Sequence, residues 1–574
     1  MKKFFAFILV LALALSMMAM PATADEGGLS EPGVLPIWTG SEPYPLSVLT
    51  ASSDYVSDWD NNAYTKWIEE SCNVDLSFEF LPPVESDAKL NIMIQTGDKL
   101  PDIICRGISL DNALMFEDAG GIIDCTEYYE NGAAYNTLKA DAAYPELYLI
   151  GNITSADGKI LGVPKIQLSL TNETKYKLWV NTVYLNNLGI EELPTTIDEF
   201  TEMLRRFRDE DANGNGVADD EIPLLGSSSW GGNPVKYLTN AFVHEGDNDM
   251  WMMKDGKVTA SYLQPEWLEA CNYLRMLVSE GLMGKEAFTY ARPDIIAVAA
   301  NNNNLVGCLF DSSLGFFGGE EGSETYLAKQ RYRTINPLVG PNGYQSVAFA
   351  ASATNIQWVV TADCEQPELA FRVGDFQFQE EGYMRGRFGV ENENWMTTDT
   401  YLAANPGAEL EFIWGQMGYE MKYITATKTG FDGPVNVFGE VQNVNWYDAM
   451  PYFSGYEECK IATVKKYPAN AEYPDGYEVT TQNWQGLATA YMQSVKPDEN
   501  TYCPNLNFSA DESAEWGEVR STLRTFVNEQ RSLYVLGQPS MLDNPDAFYA
   551  ELNTIGVEGI LEVANEAYAR QYGK

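Results

Sequence analysis

The sequence predicts an α/β protein of at least two lobes built on largely parallel sheets, and three observations carry that prediction. Strand-like and helix-like segments take turns between Leu46 and Cys105, and such alternation implies parallel strands joined by helical crossovers. The chain is 574 residues long and 45% hydrophobic, whereas a single core stops growing at about 250 to 300 residues. Between a turn at Asp157 to Pro164 and a strand at Leu178 to Asn181 there is room for the chain to pass from one lobe to the next.

The opening segment reads as an address. Lys2 and Lys3 precede an apolar run from Phe4 to Leu15, Pro21 breaks it, and Ala22-Thr23-Ala24 supplies the small residues a signal peptidase accepts. Residues 1–24 are therefore expected to be a signal peptide, and 25–45, rich in Gly and Pro, a flexible leader. A membrane-spanning helix needs about 20 apolar residues, more than this run offers. The first cysteine is Cys72, so no lipidated cysteine is expected at the cleavage point. The expected location is outside the membrane: extracellular, cell-surface or periplasmic.

A formal charge of −45 repels nucleic acid and anionic lipid, which argues against both as partners, and an acidic surface keeps an exported protein soluble. The eight cysteines lie far apart without a CxxC, and several sit in apolar patterns, as in Ile103-Ile104-Cys105, so they read as mostly free buried thiols. A single histidine, His244, argues against a histidine-built zinc site or a Ser-His-Asp triad. It reads as an ordinary polar surface residue.

Leu46 to Thr50 is a short buried strand, and Ala51-Ser52-Ser53-Asp54 follows as a polar loop beyond its carboxyl end, where ligands gather in open α/β sheets. A helix at Tyr64 to Glu70, a strand at Val74 to Phe80, a helix at Glu85 to Thr96 and a strand at Asp102 to Cys105 continue the alternation. Thr196 and Glu199 form a capping box that opens a helix with Phe200, Met203, Leu204 and Phe207 on its buried stripe. Trp267, Cys271, Leu274 and Val278 make the same stripe in a helix from Pro265 to Glu280. Asn355 to Val360 reads as a strand, Gln366 to Gln379 as the helix after it, and Gly559 to Tyr568 as a terminal helix. The stretch from Trp395 through Trp446 to Trp484 is rich in loops and aromatics and has no clean period.

One stretch carries metal chemistry: Asp209-Glu210-Asp211-Ala212-Asn213-Gly214-Asn215-Gly216-Val217-Ala218-Asp219-Asp220-Glu221. Calcium wants six to eight oxygen ligands, and alternate oxygen-bearing side chains around a sharp glycine turn can supply them. Asp211, Asn213 and Asn215 take the first, third and fifth places, Gly216 the sixth, the Val217 carbonyl the seventh and Asp219 the ninth. Ile222 falls at the twelfth, so Asp220 or Glu221 must close the shell. A second register starting at Asp209 closes on Asp220 but puts Asn215 and Val217 at the seventh and ninth places. A bound calcium ion would staple the loop rather than touch a ligand.

These residues resemble a known family. Lys89-Leu90-Asn91-Ile92-Met93-Ile94-Gln95-Thr96-Gly97-Asp98-Lys99-Leu100-Pro101-Asp102 is similar to the helix, turn and strand of extracellular solute-binding proteins of bacterial ABC carbohydrate importers. The Asp157 to Pro164 turn, Glu380-Glu381-Gly382 and the Gly556 to Tyr568 helix extend the likeness over most of the chain, closest to the alginate-oligosaccharide-binding and LipO-like subgroup. The resemblance implies a two-lobe periplasmic-binding-protein fold with hinge crossovers and a ligand cleft between lobes, and it carries the calcium ligands onto Asp211, Asn213, Asn215, Val217, Asp219 and Asp220. It also implies an oligosaccharide ligand, an ABC permease partner and a monomer with no catalysis. The expected lobes are 46–165 with 350–392, and 166–349 with 393–574.

A sugar site needs aromatic platforms and aimed polar groups. Trp230, in a glycine- and serine-rich loop past the calcium segment, and Trp358, Trp395 and Trp446 are the candidate platforms. Ser52, Ser53, Asp54, Arg106 and Asp311, each at or near a strand end, are the candidate hydrogen-bonding groups. A peptide-binding transport protein and a secreted glycoside hydrolase are the alternatives; no spacing singles out the paired carboxylates a glycosidase needs.

Overall fold

The computed structural model describes residues 27–573 apart from 83–85, 145–148, 168–169, 229–230, 247–248, 301–302, 318–322, 351–353, 409, 413–421, 426–440, 448, 455–460 and 465–480. The signal-peptide expectation falls on 1–24 and lies outside the described residues. Among the described residues no helix is long and apolar enough to cross a membrane.

The first lobe is built on a six-stranded sheet in the order Tyr452–Ser454, Val163–Gln167, Thr354–Val360, Ile103–Ile108, Tyr44–Ala51 and Val74–Leu81. Its far wing is parallel, with Tyr44 to Ala51 opposite Val74 to Leu81 and Val48 opposite Ile103. That is what the strand–helix alternation predicts, and the intervening helices Ala63–Cys72 and Ser86–Thr96 sit close to their expected places. The Thr354–Val360 strand runs antiparallel to both neighbours because the chain re-enters this sheet from the other lobe.

The second lobe holds a four-stranded sheet in the order Tyr332–Thr334, Leu178–Asn181, Val306–Phe310 and Ile222–Leu225. Only its Ile222–Leu225 and Val306–Phe310 strands pair in parallel; the Leu178–Asn181 strand is antiparallel to both partners. Every residue of Leu178–Asn181 and Val306–Phe310 is buried, so both strands are covered on two faces. The Ile197–Asp209 helix has the expected capping box on Thr196 and Glu199 and buries Phe200, Met203, Leu204 and Phe207 against this sheet. A further helical layer, with helices at Ala510–Val535, Pro545–Ile555 and Val557–Tyr572, closes the lobe around Trp267 and Phe548.

The chain crosses between lobes after Gln167, returns before Thr354 and leaves again only after Val464, since Ile461–Val464 pairs with Tyr423–Thr425, whose Tyr423 packs in the first core. The last crossing corrects the expected lobe boundary. Among the described residues of 393–454, Trp395, Tyr423, Trp446, Met450 and Tyr452 pack in the first core rather than the second lobe, and Tyr452–Ser454 is an edge strand of the first-lobe sheet. The aromatic residues of this stretch carry no period because short strands and turns lay them one by one into a core made by other segments.

His244 is also corrected: it is buried, not a surface residue, with Nδ1 3.1 Å from Asn240 Oδ1, and burial lowers its imidazole to about 4. Seven cysteines among the described residues are free, and burial pushes the Cys271 thiol up to about 12.

A buried ion cluster ties the C-terminal helices to the second lobe. Glu245 accepts from Arg531 Nη1 at 2.9 and 2.7 Å and from Trp267 Nε1 at 2.8 Å, and Lys236 Nζ lies 3.0 Å from it. Burial alone would raise this carboxyl, but the charges of Arg531 and Lys236 outweigh it and hold it at about 2, below the ordinary 4.5. Removing one member of such a cluster strands the others, so Glu245→Gln is expected to cost about 3–5 kcal/mol of stability in urea titration. Because the folded carboxyl titrates below the unfolded one, the wild-type protein should lose this contribution as pH falls from 4.5 towards about 2, and the variant should show a flatter profile there.

Candidate functional site

A cavity in which both lobes take part lies at the crossings and has a volume of about 570 Å³. Ser109, Leu110 and Asp111 enter it from the N-cap and start of the Leu110–Asp118 helix that follows the Ile103–Ile108 strand, and Lys165, Gln167 and Asn355 from the two strands that lead to and from the hinge. The opposite wall is second-lobe: Asp249, Trp251, Phe349, Arg520 and the segment 502–508.

Local structure explains this wall. Trp251 begins a short hairpin with Lys257–Ala260, and Met253 N donates to Thr501 O at 2.9 Å, which seats the 502–508 segment alongside it. Phe349 and Tyr502 meet edge to face with centroids 4.8 Å apart. Trp251 and Phe508 stand 6.2 Å apart, and the Arg520 guanidinium lies 5.3 Å from the first ring and 4.7 Å from the second. Cation–ring contacts of this kind hold the fork in place. Arg520 Nη2 donates to Asp249 Oδ2 at 2.9 Å, and Nη1 stands 3.8 Å from Asp111 Oδ2 in the first lobe.

Rings of four side chains and the amides of Asn152, Gln167, Asn172, Asn355, Asn505 and Asn507 therefore face one space. An amide side chain carries donors and an acceptor, and a ring an apolar face. That combination suits a polyhydroxylated ligand. The two carboxylates of the cleft, Asp111 and Asp249, lie against the same guanidinium instead of flanking an open position.

The described ligand-binding residues expected from sequence do not line this cavity. Trp358 is buried with Nε1 donating to Ala370 O at 2.8 Å, Trp395 donates to Gly389 O at 2.9 Å, and Trp446 donates to Thr65 Oγ1 at 2.8 Å. Trp446 is walled in by Trp59, Tyr64 and Phe78 at 5.7, 5.1 and 5.4 Å. These three indoles are core, with no face left for a ligand. Asp311 is buried and held by the Arg292 fork at 2.7 and 3.0 Å; burial raises its carboxyl although Arg292 opposes the rise. Ser52, Ser53 and Asp54 do follow the Tyr44–Ala51 strand and Arg106 lies in the Ile103–Ile108 strand, yet none of the four lines the cleft. Trp230 lies outside the described residues.

The sequence reading missed Trp251, Phe349, Tyr502, Phe508 and Arg520. The strand-end rule applied to Ile103–Ile108 points to Ser109 and Asp111; nothing local points to 502–508, which is placed by its bridge to the hairpin.

The acidic loop folds as a tight, self-bonded turn. Asp211 accepts from the backbone of Asn215 at 3.0 Å and Gly216 at 2.9 Å, and Gly214 and Gly216 take φ of 75° and 88°, which glycine alone adopts cheaply. Asp220 faces the side chains of Asn213 at 3.0 Å and Asn215 at 2.8 Å. Glu221 Oε1 instead accepts from Ala212 N at 2.9 Å, and its Oε2 is buried without a hydrogen-bond partner. Among the described residues no three His, Cys, Asp or Glu groups converge as a metal shell. The oxygen-rich donor set nonetheless has the chemistry a hard cation requires.

No protein-family model matches the chain. Over 266 residues it is 29% identical to the fructooligosaccharide ABC transporter substrate-binding protein FusA of Streptococcus pneumoniae serotype 4, a match covering 45% of this chain and 47% of FusA. It is 23% identical over 230 residues to lipoprotein LipO of Bacillus subtilis, covering 40% of this chain and 42% of LipO. The chain thus matches less than half the length of these curated relatives. The fold superposes on the S. pneumoniae FusA EF-hand mutant in complex with fructo-nystose with a TM-score of 0.69 at 20% identity, over 92% of this chain and 100% of that one. These likenesses bear out the two-lobe solute-binding fold and the resemblance to solute-binding proteins of carbohydrate importers.

Trp446→Ala is expected to lower stability by about 3–5 kcal/mol in urea titration, the cost of emptying a core indole site. A loss below about 1 kcal/mol would contradict its role in the core.

Proposed function

We propose that this chain captures an oligosaccharide between its lobes and hands it to the permease of an ABC importer, without making or breaking a bond. The observation that carries the reading is the cleft of about 570 Å³, whose rings, amides and charged groups are divided between two separately packed lobes. A ligand that touches both walls only when they are close has a higher affinity for the closed form, and that difference drives closure. FusA, whose name specifies a fructooligosaccharide, makes a fructan a reasonable first probe. The apolar, cleavable-looking segment at 1–24 supports export.

The acidic loop is proposed as a calcium site with ligands from Asp211, Asn213, Asn215, Val217, Asp219 and Asp220. The EF-hand named for the FusA structure supports it, as does the way Asp220 faces both asparagines while Glu221 turns back to the loop's own amides. Calcium bound there would pin the loop next to the Ile197–Asp209 helix and act on stability.

Calorimetry of the chain lacking residues 1–24 against kestose, longer fructans, and alginate and pectin oligosaccharides should give one-to-one binding to at least one series, with the sugar recovered unchanged. Failure of every series to bind, or accumulation of cleaved product, would refute the reading. Trp251→Ala should weaken that binding by about tenfold or more, equal to about 1.4 kcal/mol. A calcium chelator should lower the melting temperature by several degrees and leave sugar affinity nearly unchanged, and Asp211→Asn should reproduce the shift; an unaltered melting curve would remove calcium from the account.

A further inference from the structure

We infer that Arg520 is the positioning residue through which ligand capture is coupled to lobe closure, an inference that rests on the capture reading above. The Ala510–Val535 helix belongs to the second lobe, where Leu523, Val527 and Tyr534 are core residues. Its first turns nonetheless reach the first lobe: Ser513 Oγ donates to Asp111 Oδ1 at 3.0 Å, and Arg520 Nη1 stands 3.8 Å from Asp111 Oδ2. A neighbouring contact does the same, since Asn507 Nδ2 donates to the first-lobe carbonyls of Gly151 at 3.0 Å and Thr154 at 2.7 Å.

Arg520 differs from these other contacts because its own lobe already holds it in place. Asp249 and the rings of Trp251 and Phe508 fix the guanidinium without help from the first lobe. Opening the cleft therefore separates Arg520 from Asp111 and leaves the fork pointing where it was. Closing it completes the pairing at little cost in side-chain order, because the fork is pre-organised. The same residue lines the cleft, and its Nε is buried with no hydrogen-bond partner. A ligand oxygen in the cleft would meet not that closed-off nitrogen but the Nη hydrogens of the fork that Asp249 and Asp111 leave unused. One side chain thus joins the second lobe, the first lobe and the space the ligand fills.

The pair is partly solvated, with side chains 25% and 45% exposed for Arg520 and Asp111, so salt should weaken it. The test places one spin label on each lobe, away from the cleft, and measures their separation in the full chain without ligand and with kestose. Without ligand, the wild-type protein at low salt should show a closed fraction that falls about threefold or more in Asp111→Asn, in Arg520→Gln and in 0.5 M salt. The double variant should fall no further than Arg520→Gln alone, because the two side chains act on one contact. Arg520→Lys, which keeps the charge but not the fork, should recover only part of the closed fraction. With kestose, Arg520→Gln should need more sugar to close than Asp111→Asn does, since it also loses the donor to the ligand.

Additive effects of the two substitutions, or a ligand-free separation indifferent to both and to salt, would overturn the inference. Equal effects of Asp111→Asn and Arg520→Gln on sugar-driven closure would overturn the ligand contact. If kestose and the other oligosaccharides close no form of the protein, the capture reading fails, and the ligand-free distances then overturn or uphold the lobe-to-lobe pairing by themselves.

Discussion

The three passages of the chain between two separately packed cores are the constraint on which the rest of the structure depends. Because Trp358 and Tyr452 belong to one core and Leu178 and Phe310 to another, neither core must open for the lobes to move. Hydrophobic burial stabilises each lobe on its own, and among the described residues polar contacts of Asp111 with Ser513 and Arg520, and of Asn507 with Gly151 and Thr154, bridge them. Those contacts are few and partly exposed, so their free energy is of the size a bound sugar can outweigh.

The position of the cleft follows from the same constraint. Strands that lead to and from a crossing end where the two lobes meet, so Lys165, Gln167 and Asn355 face the cavity because of their topology. The parallel strand Ile103–Ile108 ends nearby and delivers Ser109 and Asp111, in keeping with the tendency of ligands to bind beyond the carboxyl ends of such strands. The second-lobe wall is assembled differently. Its rings come from a hairpin, from the returning hinge and from a segment near residue 505, brought together by backbone pairing across some 250 residues of sequence.

Acidic residues serve three purposes in this molecule, separated by environment. Most of the negative charge is solvated surface. Glu245, fully buried, is kept ionised by Arg531 and Lys236 and locks the helical layer in place. Asp220 and its neighbours crowd one short loop, where amide hydrogen bonds and two left-handed glycines hold oxygen atoms close together. Only the last arrangement is local enough in sequence to be read as a site without coordinates.

The sequence by itself determined the features set by neighbours along the chain: the alternating strands and helices up to Cys105, the capping box at Thr196, the buried stripes of the Ile197–Asp209 and Pro265–Ser279 helices, and the oxygen-rich turn. Periodicity, capping and turn chemistry act over a few residues, so a linear reading can see them. Tertiary structure alone decided that Trp358, Trp395 and Trp446 are core, that Tyr423, Met450 and Tyr452 join the first lobe, and that Trp251, Tyr502 and Arg520 share a cleft. An indole stabilises a core and a sugar platform by the same burial of its faces, and which of the two it serves depends on segments hundreds of residues away.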